Sequence, residues 1–319
     1  MFFKRMLYAG VLALAALGSA RAAQGPVQLV VAFPAGGPVD TVGRVLAAQL
    51  SKQWNRPVIV ENKAGANGNI GAAYVSTAPG DGSVLFLTSV GAVAISPALY
   101  KSLPYDPVKG FKPISKIVDN ATVFVVNKTN PAVDAADFVK RSRAAGGPVP
   151  IGSSGVGSIP HLTLEMFADA TKANVMHVPY KGAAPVINDL LGNQVAGFFG
   201  DVPGLISLIK SGQLKALGLA APARLPQLPH VATLAEQGIT GVQTNNWYGL
   251  LAPAAMPPAL VDKLNADVRA ALQSPDVRER LAQLGCQAAP TSPQELAAII
   301  ASDRQKWSDL IKRKNIHMD

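Results

Sequence analysis

Two stretches of this chain share one pattern, and together they restrict the fold more than any other feature. The first is Val27-Gln-Leu-Val-Val-Ala-Phe-Pro-Ala-Gly-Gly-Pro-Val-Asp40. An apolar run ends in the loop Phe33, Pro34, Ala35, Gly36 and Gly37. A helical pattern follows, with Val39, Val42, Leu46 and Leu50 recurring every three to four residues. The second runs from Val149 through Ser153-Ser-Gly-Val-Gly-Ser158 into a helix with Ile159, Leu162, Met166 and Phe167 on one face. A strand, a glycine loop and a helix in that order belong to α/β folds. The junction leaves first-turn amides unpaired at the mouth of a sheet, and the helix dipole adds partial positive charge there. Each junction is either a tight turn or a small anion site that needs no charged side chain.

Strand and helix patterns alternate around both junctions. The sequence predicts strands over 28–33, 58–60 and 83–88, then over 149–152, 175–178, 195–199 and 214–220. Helices fall between them. Such alternation implies parallel sheets built from βαβ units. Three helices beginning near Pro257, Pro275 and Pro293 close the chain. Two short apolar strands, Ala121–Val126 and Trp247–Ala252, read as connections that pair antiparallel as a two-strand hinge. The expected organisation is a lobe of 23–122 plus 249–319 and a second of 123–248.

The first residues are an export signal. Lys4 and Arg5 precede an apolar segment from Met6 to Leu17, and Ala20-Arg21-Ala22 suits a cleavage site. Residues 1–22 are therefore expected to be removed near Ala22, leaving a periplasmic protein. Losing Lys4, Arg5 and Arg21 takes the net charge from +9 to +6. The basic residues are scattered and do not interleave with aromatics, so the charge favours small anions rather than nucleic acid. One cysteine, Cys286, excludes an internal disulfide.

The candidate ligand-binding residues follow from the junctions. In the first lobe they are Phe33, Pro34, Ala35, Gly36, Gly37, Val39 and Asp40, with Ser89 at a later strand end. In the second they are Ser153, Ser154, Gly155, Ser158 and His161. Ser154 and Ser158 can donate to a carboxylate or cap the helix. Tyr180 follows a strand end, as a cleft wall or plain packing. Asp201 either accepts from a ligand hydroxyl or amine or caps the next helix. Enzyme patterns fail on particulars. Gly152-Ser-Ser-Gly-Val156 lacks the final glycine of G-x-S-x-G. Gly65, Gly68 and Gly71 fit neither the dinucleotide fingerprint nor the P-loop. The four histidines lack metal-ligand spacing. No cofactor or metal is expected.

The chain resembles the solute-binding receptors of tripartite tricarboxylate transporters, the Bug family. The matching pieces run in order along nearly the whole mature chain: Phe33-Pro-Ala-Gly-Gly-Pro-Val-Asp40, Asn62-Lys-Ala-Gly-Ala-Asn-Gly-Asn-Ile-Gly71, Asp81-Gly-Ser-Val-Leu, Ser153-Ser-Gly-Val-Gly-Ser158, Val178-Pro-Tyr-Lys-Gly-Ala183 and Trp247-Tyr-Gly-Leu-Leu-Ala-Pro253. Gly200-Asp201-Val-Pro and Ala35 depart from the family's usual pattern. The resemblance implies a type II, venus-flytrap receptor without enzymatic activity. It implies a carboxylate held by the loops at 34–40 and 153–158, and a membrane permease as partner, with the receptor a monomer. The rival readings are a carboxylate sensor that presents its closed form to a signalling partner, and an exported α/β hydrolase.

Overall fold

A computed structural model describes residues 25–318. The signal segment 1–22 lies outside the described residues. The first lobe is built on β1 (Val27–Val31), α1 (Pro38–Trp54), β2 (Val58–Asn62), α2 (Asn69–Ser76), β3 (Val84–Ser89), α3 (Ser96–Leu99) and β4 (Phe111–Asp119). The second holds β5 (Thr122–Asn127), α4 (Ala135–Ala144), β6 (Val149–Ser153), α5 (Ile159–Thr171), β7 (Val175–Pro179), α6 (Ala183–Leu191), β8 (Gly197–Asp201), α7 (Val202–Lys210) and β9 (Leu214–Leu219). The chain then returns to the first lobe as β10 (Tyr248–Pro253), α8 (Pro258–Gln273), α9 (Pro275–Gln283), β11 (Gln287–Ala288) and α10 (Pro293–Lys314).

Two sheets result, ordered β2-β1-β3-β10-β4-β11 and β7-β6-β8-β5-β9. Alternate residues of each strand serve opposite faces, as the pleat requires. Val27, Leu29 and Val31 pack under α1, α8 and α9. Val30 and Ala32 face the other way, toward Phe86, Trp247 and Trp307. In the second sheet Phe124 and Val126 pack with Phe138, Phe167 and Phe199, whereas Val123 and Val125 pack with Val186, Val202 and Leu205. Phe124 and Phe199 stack with centroids 4.5 Å apart. Both faces of both sheets are covered, which explains the long apolar runs.

The sheets are mixed rather than parallel throughout. β10 runs antiparallel to β3 and β4, and β5 runs antiparallel to β8 and β9. The expected two-strand hinge also differs. β5 and β10 lie in different sheets and do not pair. The crossing segments meet just before them. Ala121 bridges Asn245 antiparallel, the Asn246 amide donates to the Asn120 carbonyl at 3.1 Å, and the Asn120 amide donates to Asn245 Oδ1 at 3.2 Å. Each strand is already paired on both edges within its own sheet, so only the short polar crossings remain to join the lobes. Among the described residues, no helix is long and apolar enough to cross a membrane.

Candidate functional site

The carboxyl ends of β1, β3, β6 and β8 point into the gap between the lobes. A small chamber lies there. Its walls carry the starts of four helices. Gly37, Pro38 and Val39 come from α1, Ser158, Ile159 and Pro160 from α5, Gly182, Ala183 and Ala184 from α6, and Asp201 from the cap of α7. Proline stands within the first two residues of α1, α5 and α7. It pre-sets the helical φ where an amide would be unpaired anyway. Gly37 and Gly182 are caps without side chains, so nothing of theirs shields the following amides. Val39 and Asp40 in α1, and Ala183 and Ala184 in α6, therefore keep N–H groups that the helices cannot use. Of the residues lining the chamber only Asp201 is ionisable.

The lobes are closed on this chamber. Asn67 Nδ2 donates to the Gly157 carbonyl at 3.1 Å across the gap. Asn67 sits in a left-handed conformation, φ 54° and ψ 32°, tolerable for asparagine and rare for most residues. Gly91 makes room for it: a Cβ there would lie 2.6 Å from the Asn67 carbonyl oxygen. Glycines also face lobe-one side chains. A Cβ at Gly182 would lie 3.1 Å from Pro34 Cγ, one at Gly204 2.8 Å from Pro38 Cγ, and one at Gly157 2.2 Å from Leu99 Cδ2. Farther out, Lys314 of α10 pairs with Glu165 at 3.4 Å and with Asp169. A wider vestibule outside the chamber is lined by Ala64–Gly68, Tyr100, Gly155 and Pro179–Lys181.

The sequence candidates divide accordingly. Phe33, Pro34, Gly37, Val39, Ser89, Ser154, Ser158 and Asp201 line the chamber. Gly155 and Tyr180 line only the vestibule. The Tyr180 hydroxyl donates to Asp189 at 2.6 Å, and burial together with that carboxylate pushes its pKa up to about 12. Ala35 and Gly36 are exposed outside it. The Gly36 amide is spent on Asp40 at 2.9 Å, and the Gly37 amide on the Pro34 carbonyl at 3.2 Å. Asp40 is turned away from the chamber. Its carboxylate takes Arg44 Nε at 2.8 Å, Arg44 Nη2 at 3.0 Å and Asn62 Nδ2 at 2.9 Å. Burial alone would raise its pKa, but the hydrogen bonds from Arg44, Asn62 and Gly36 prevail and hold it below the usual carboxylate range. Asp40 thus fixes the loop's shape rather than facing a ligand.

In the second lobe Ser158 caps α5. Its Oγ accepts from the His161 amide at 3.4 Å and donates to the Gly155 carbonyl at 2.7 Å. Ser154 has no hydrogen bond from its hydroxyl to the described protein, so it is the free donor of this loop. His161 lies behind the loop, where its Nδ1 accepts the Gly157 amide at 3.0 Å. That bond places the ring proton on Nε2, 3.7 Å from Glu165. Its ring stacks on His177 with centroids 3.8 Å apart. Ser153 is fully buried and its hydroxyl lies 2.6 Å from His177 Nε2. Burial drives the His177 pKa down to about 4. This serine–histidine contact is sealed from the chamber and resembles no accessible nucleophile. Cys286 is buried, and burial pushes its thiol pKa far up.

Asp201 ends β8 and does not cap α7 with its side chain. Its Oδ2 accepts from Asn246 Nδ2 and from Tyr248 Oη, each at 2.8 Å. Burial raises its pKa to about 6 against the lowering effect of those bonds. Asn67, Asn246, Phe198 and the Gly182–Ala184 turn are chamber residues that reading the sequence did not pick out. The turn belongs to the motif Val178-Pro-Tyr-Lys-Gly-Ala183, whose glycine before a helical run is the available signal.

Two lobes, each a sheet covered by helices, closed on a chamber ringed by helix starts, define a venus-flytrap binding protein. The chain belongs to the tripartite tricarboxylate transporter family receptors, whose family model matches residues 42–316. It is similar to the periplasmic binding protein BugD, at 33% identity over 92% of this chain and 99% of that one, TM-score 0.87. It is also similar to Rpa4515 of R. palustris with adipate, at 30% identity, 93% and 100% coverage and TM-score 0.89. MatC from Rhodopseudomonas palustris with bound malate gives 30% identity, 91% and 99% coverage and TM-score 0.84. Receptors of this family capture solutes for transport, and carboxylates occupy these two neighbours.

Proposed function

We propose that this receptor holds the carboxylate of a small organic acid against the free amides of α1 and α6, with Ser89 and Ser154 as hydroxyl donors. One observation carries the reading. Four helix starts surround a chamber that contains no basic side chain. Their unpaired amides and dipoles supply the positive potential that an anion needs. The bodies that close on it follow the expected division into 23–122 plus 249–319 and 123–248, with each boundary moved by one residue so that Thr122 goes with β5 and Tyr248 with β10. The polar crossings at 119–121 and 245–247 are the hinge. The mature protein works in the periplasm as a monomer after cleavage near Ala22 and presents its closed form to the membrane permease. It binds and releases without turning its ligand over.

A thermal-melt screen against small mono-, di- and tricarboxylic acids tests this. Ligand at a hundred times its dissociation constant stabilises the folded state by about 2.7 kcal/mol. At least one acid should raise the melting temperature, and its uncharged amide should not. A set of acids that leaves the melt unmoved counts against the reading.

A further inference from the structure

The inner wall of the chamber is rich in acceptors and poor in donors. Asp201 and Asn246 both line it, with 9% and 6% of their surface exposed. The Asn246 amide group donates to Asp201 Oδ2 at 2.8 Å. A carboxylate cannot accept from an amide oxygen, so this bond fixes the Asn246 side chain with Oδ1 elsewhere. Tyr248 spends its only proton on the same Oδ2 at 2.8 Å, and Asn120 Nδ2 gives one of its two N–H groups to Tyr248 at 3.2 Å. Asp201 Oδ1 and Asn246 Oδ1 are both buried and without a partner, as are Asn120 Oδ1 and the Thr122 hydroxyl. Each such acceptor is costly to leave unmet. A carboxylate buried without a cation costs more still. Nothing lining the chamber supplies a cation.

We infer that the acid this receptor prefers carries a hydrogen-bond donor, an ammonium or a hydroxyl, near the bound carboxylate, and that Asp201 Oδ1 and Asn246 Oδ1 receive it. The inference rests on the carboxylate reading above and narrows it. Helix-start amides of α1 and α6 take the anionic end. The β8 end, reached by the crossing residue Asn246, takes the donor. The two demands are opposite in sign and lie on different walls, so an acid with only carboxylates satisfies one of them. Asp201 therefore sets the choice between acids of equal length. An ammonium answers both the spare acceptors and the uncompensated charge, whereas a hydroxyl answers one acceptor.

Calorimetric titration of the full mature protein with matched acids tests this. The sets are succinate, malate and aspartate, then glutarate, 2-hydroxyglutarate and glutamate, then propanoate, lactate and alanine. The expected result is that in at least one set the amino or hydroxy acid binds tenfold or more tightly than its plain partner. The Asp201→Asn variant separates the two donors. It loses the charge, and its one oxygen must still serve Asn246 and Tyr248, so the spare position presents N–H. An amino acid's advantage should therefore fall at least tenfold. A hydroxyl can accept that N–H and still donate to Asn246 Oδ1, so a hydroxy acid's advantage should persist within threefold. The wild-type comparison stands without the variant, should that variant fold poorly. Plain acids that bind as well as their partners would overturn the inference and leave the carboxylate reading intact, with water on the spare acceptors. Failure of every acid to bind would overturn both.

Discussion

Gly204→Ala should make the empty protein more stable and the receptor worse at its task. Gly204 sits in the first turn of α7, in ordinary helical conformation, and faces Pro38 of α1 across the gap. A Cβ at this position would lie 2.8 Å from Pro38 Cγ and 3.4 Å from its Cδ. Carbon contacts prefer about 3.5–4.0 Å, so the closed lobes must part by roughly 0.7 Å at this point or deform the proline ring. Pro38 has no rotamer with which to yield. Overpacking of this kind costs about 1–3 kcal/mol, but only in the closed form. In the open form nothing opposes the methyl group, and alanine favours the helix by about 0.5–1 kcal/mol over glycine. Denaturant melts of the empty protein should move up slightly. Titration with the tightest acid should show affinity reduced roughly 5- to 150-fold, the same energy read at 1.4 kcal/mol per tenfold. Loss of both properties together would point to a damaged lobe. Unchanged affinity would refute closure through the α1–α7 contact.

Ser158→Ala should lower stability by about 0.5–2 kcal/mol, the range for a lost cap, whereas Ser154→Ala should leave the melt nearly in place and weaken acid binding by about 1.5–3 kcal/mol; reversed assignments would show the roles exchanged. His177 titrates at about 4 when folded and 6.5 as the unperturbed group, so the unfolded chain binds more protons between those values. Its contribution is complete above 6.5 and lost as pH falls toward 4, at most about 3 kcal/mol. Urea melts of wild type and His177→Leu across that window should converge at the acid end, and parallel curves would contradict the burial argument. Asp40→Ala removes the acceptor for Gly36, Arg44 and Asn62 and should cost roughly 2–4 kcal/mol of stability, since orphaned donors add to lost charged bonds; a neutral melt would show that the loop holds its shape without it.

The architecture was legible because burial writes itself locally. The spacing of Val39, Val42, Leu46 and Leu50 marks the buried face of α1, and prolines at 257, 275 and 293 mark helix starts, the first as the cap before Pro258. β4 was not legible. Lys112, Pro113 and Lys116 break its apolar pattern, which the strand tolerates because its outer neighbour β11 is only two residues long. The apolar run Gly91–Ile95 gives no sign that it winds as a π-helix. The same division holds at the site. Glycine loops before helices announced the α1 and α5 walls. Asp40 was misplaced because its partner Asn62 comes from the end of a neighbouring strand. Asn67 became a chamber residue through its contact with Gly157 in the other lobe, and Asn246, on the crossing, through its bond to Asp201 at the end of β8. No local pattern encodes such meetings. They exist only once distant segments have been brought together.

A crystal structure of the mature protein with the tightest acid from the melt screen tests the central claim most directly. The account predicts carboxylate oxygens at about 2.7–3.2 Å from the amides of α1, at Val39 or Asp40, and of α6, at Ala183 or Ala184, with both lobes touching the ligand. A carboxylate seated instead in the outer vestibule on Lys181, or held by one lobe alone, would contradict it.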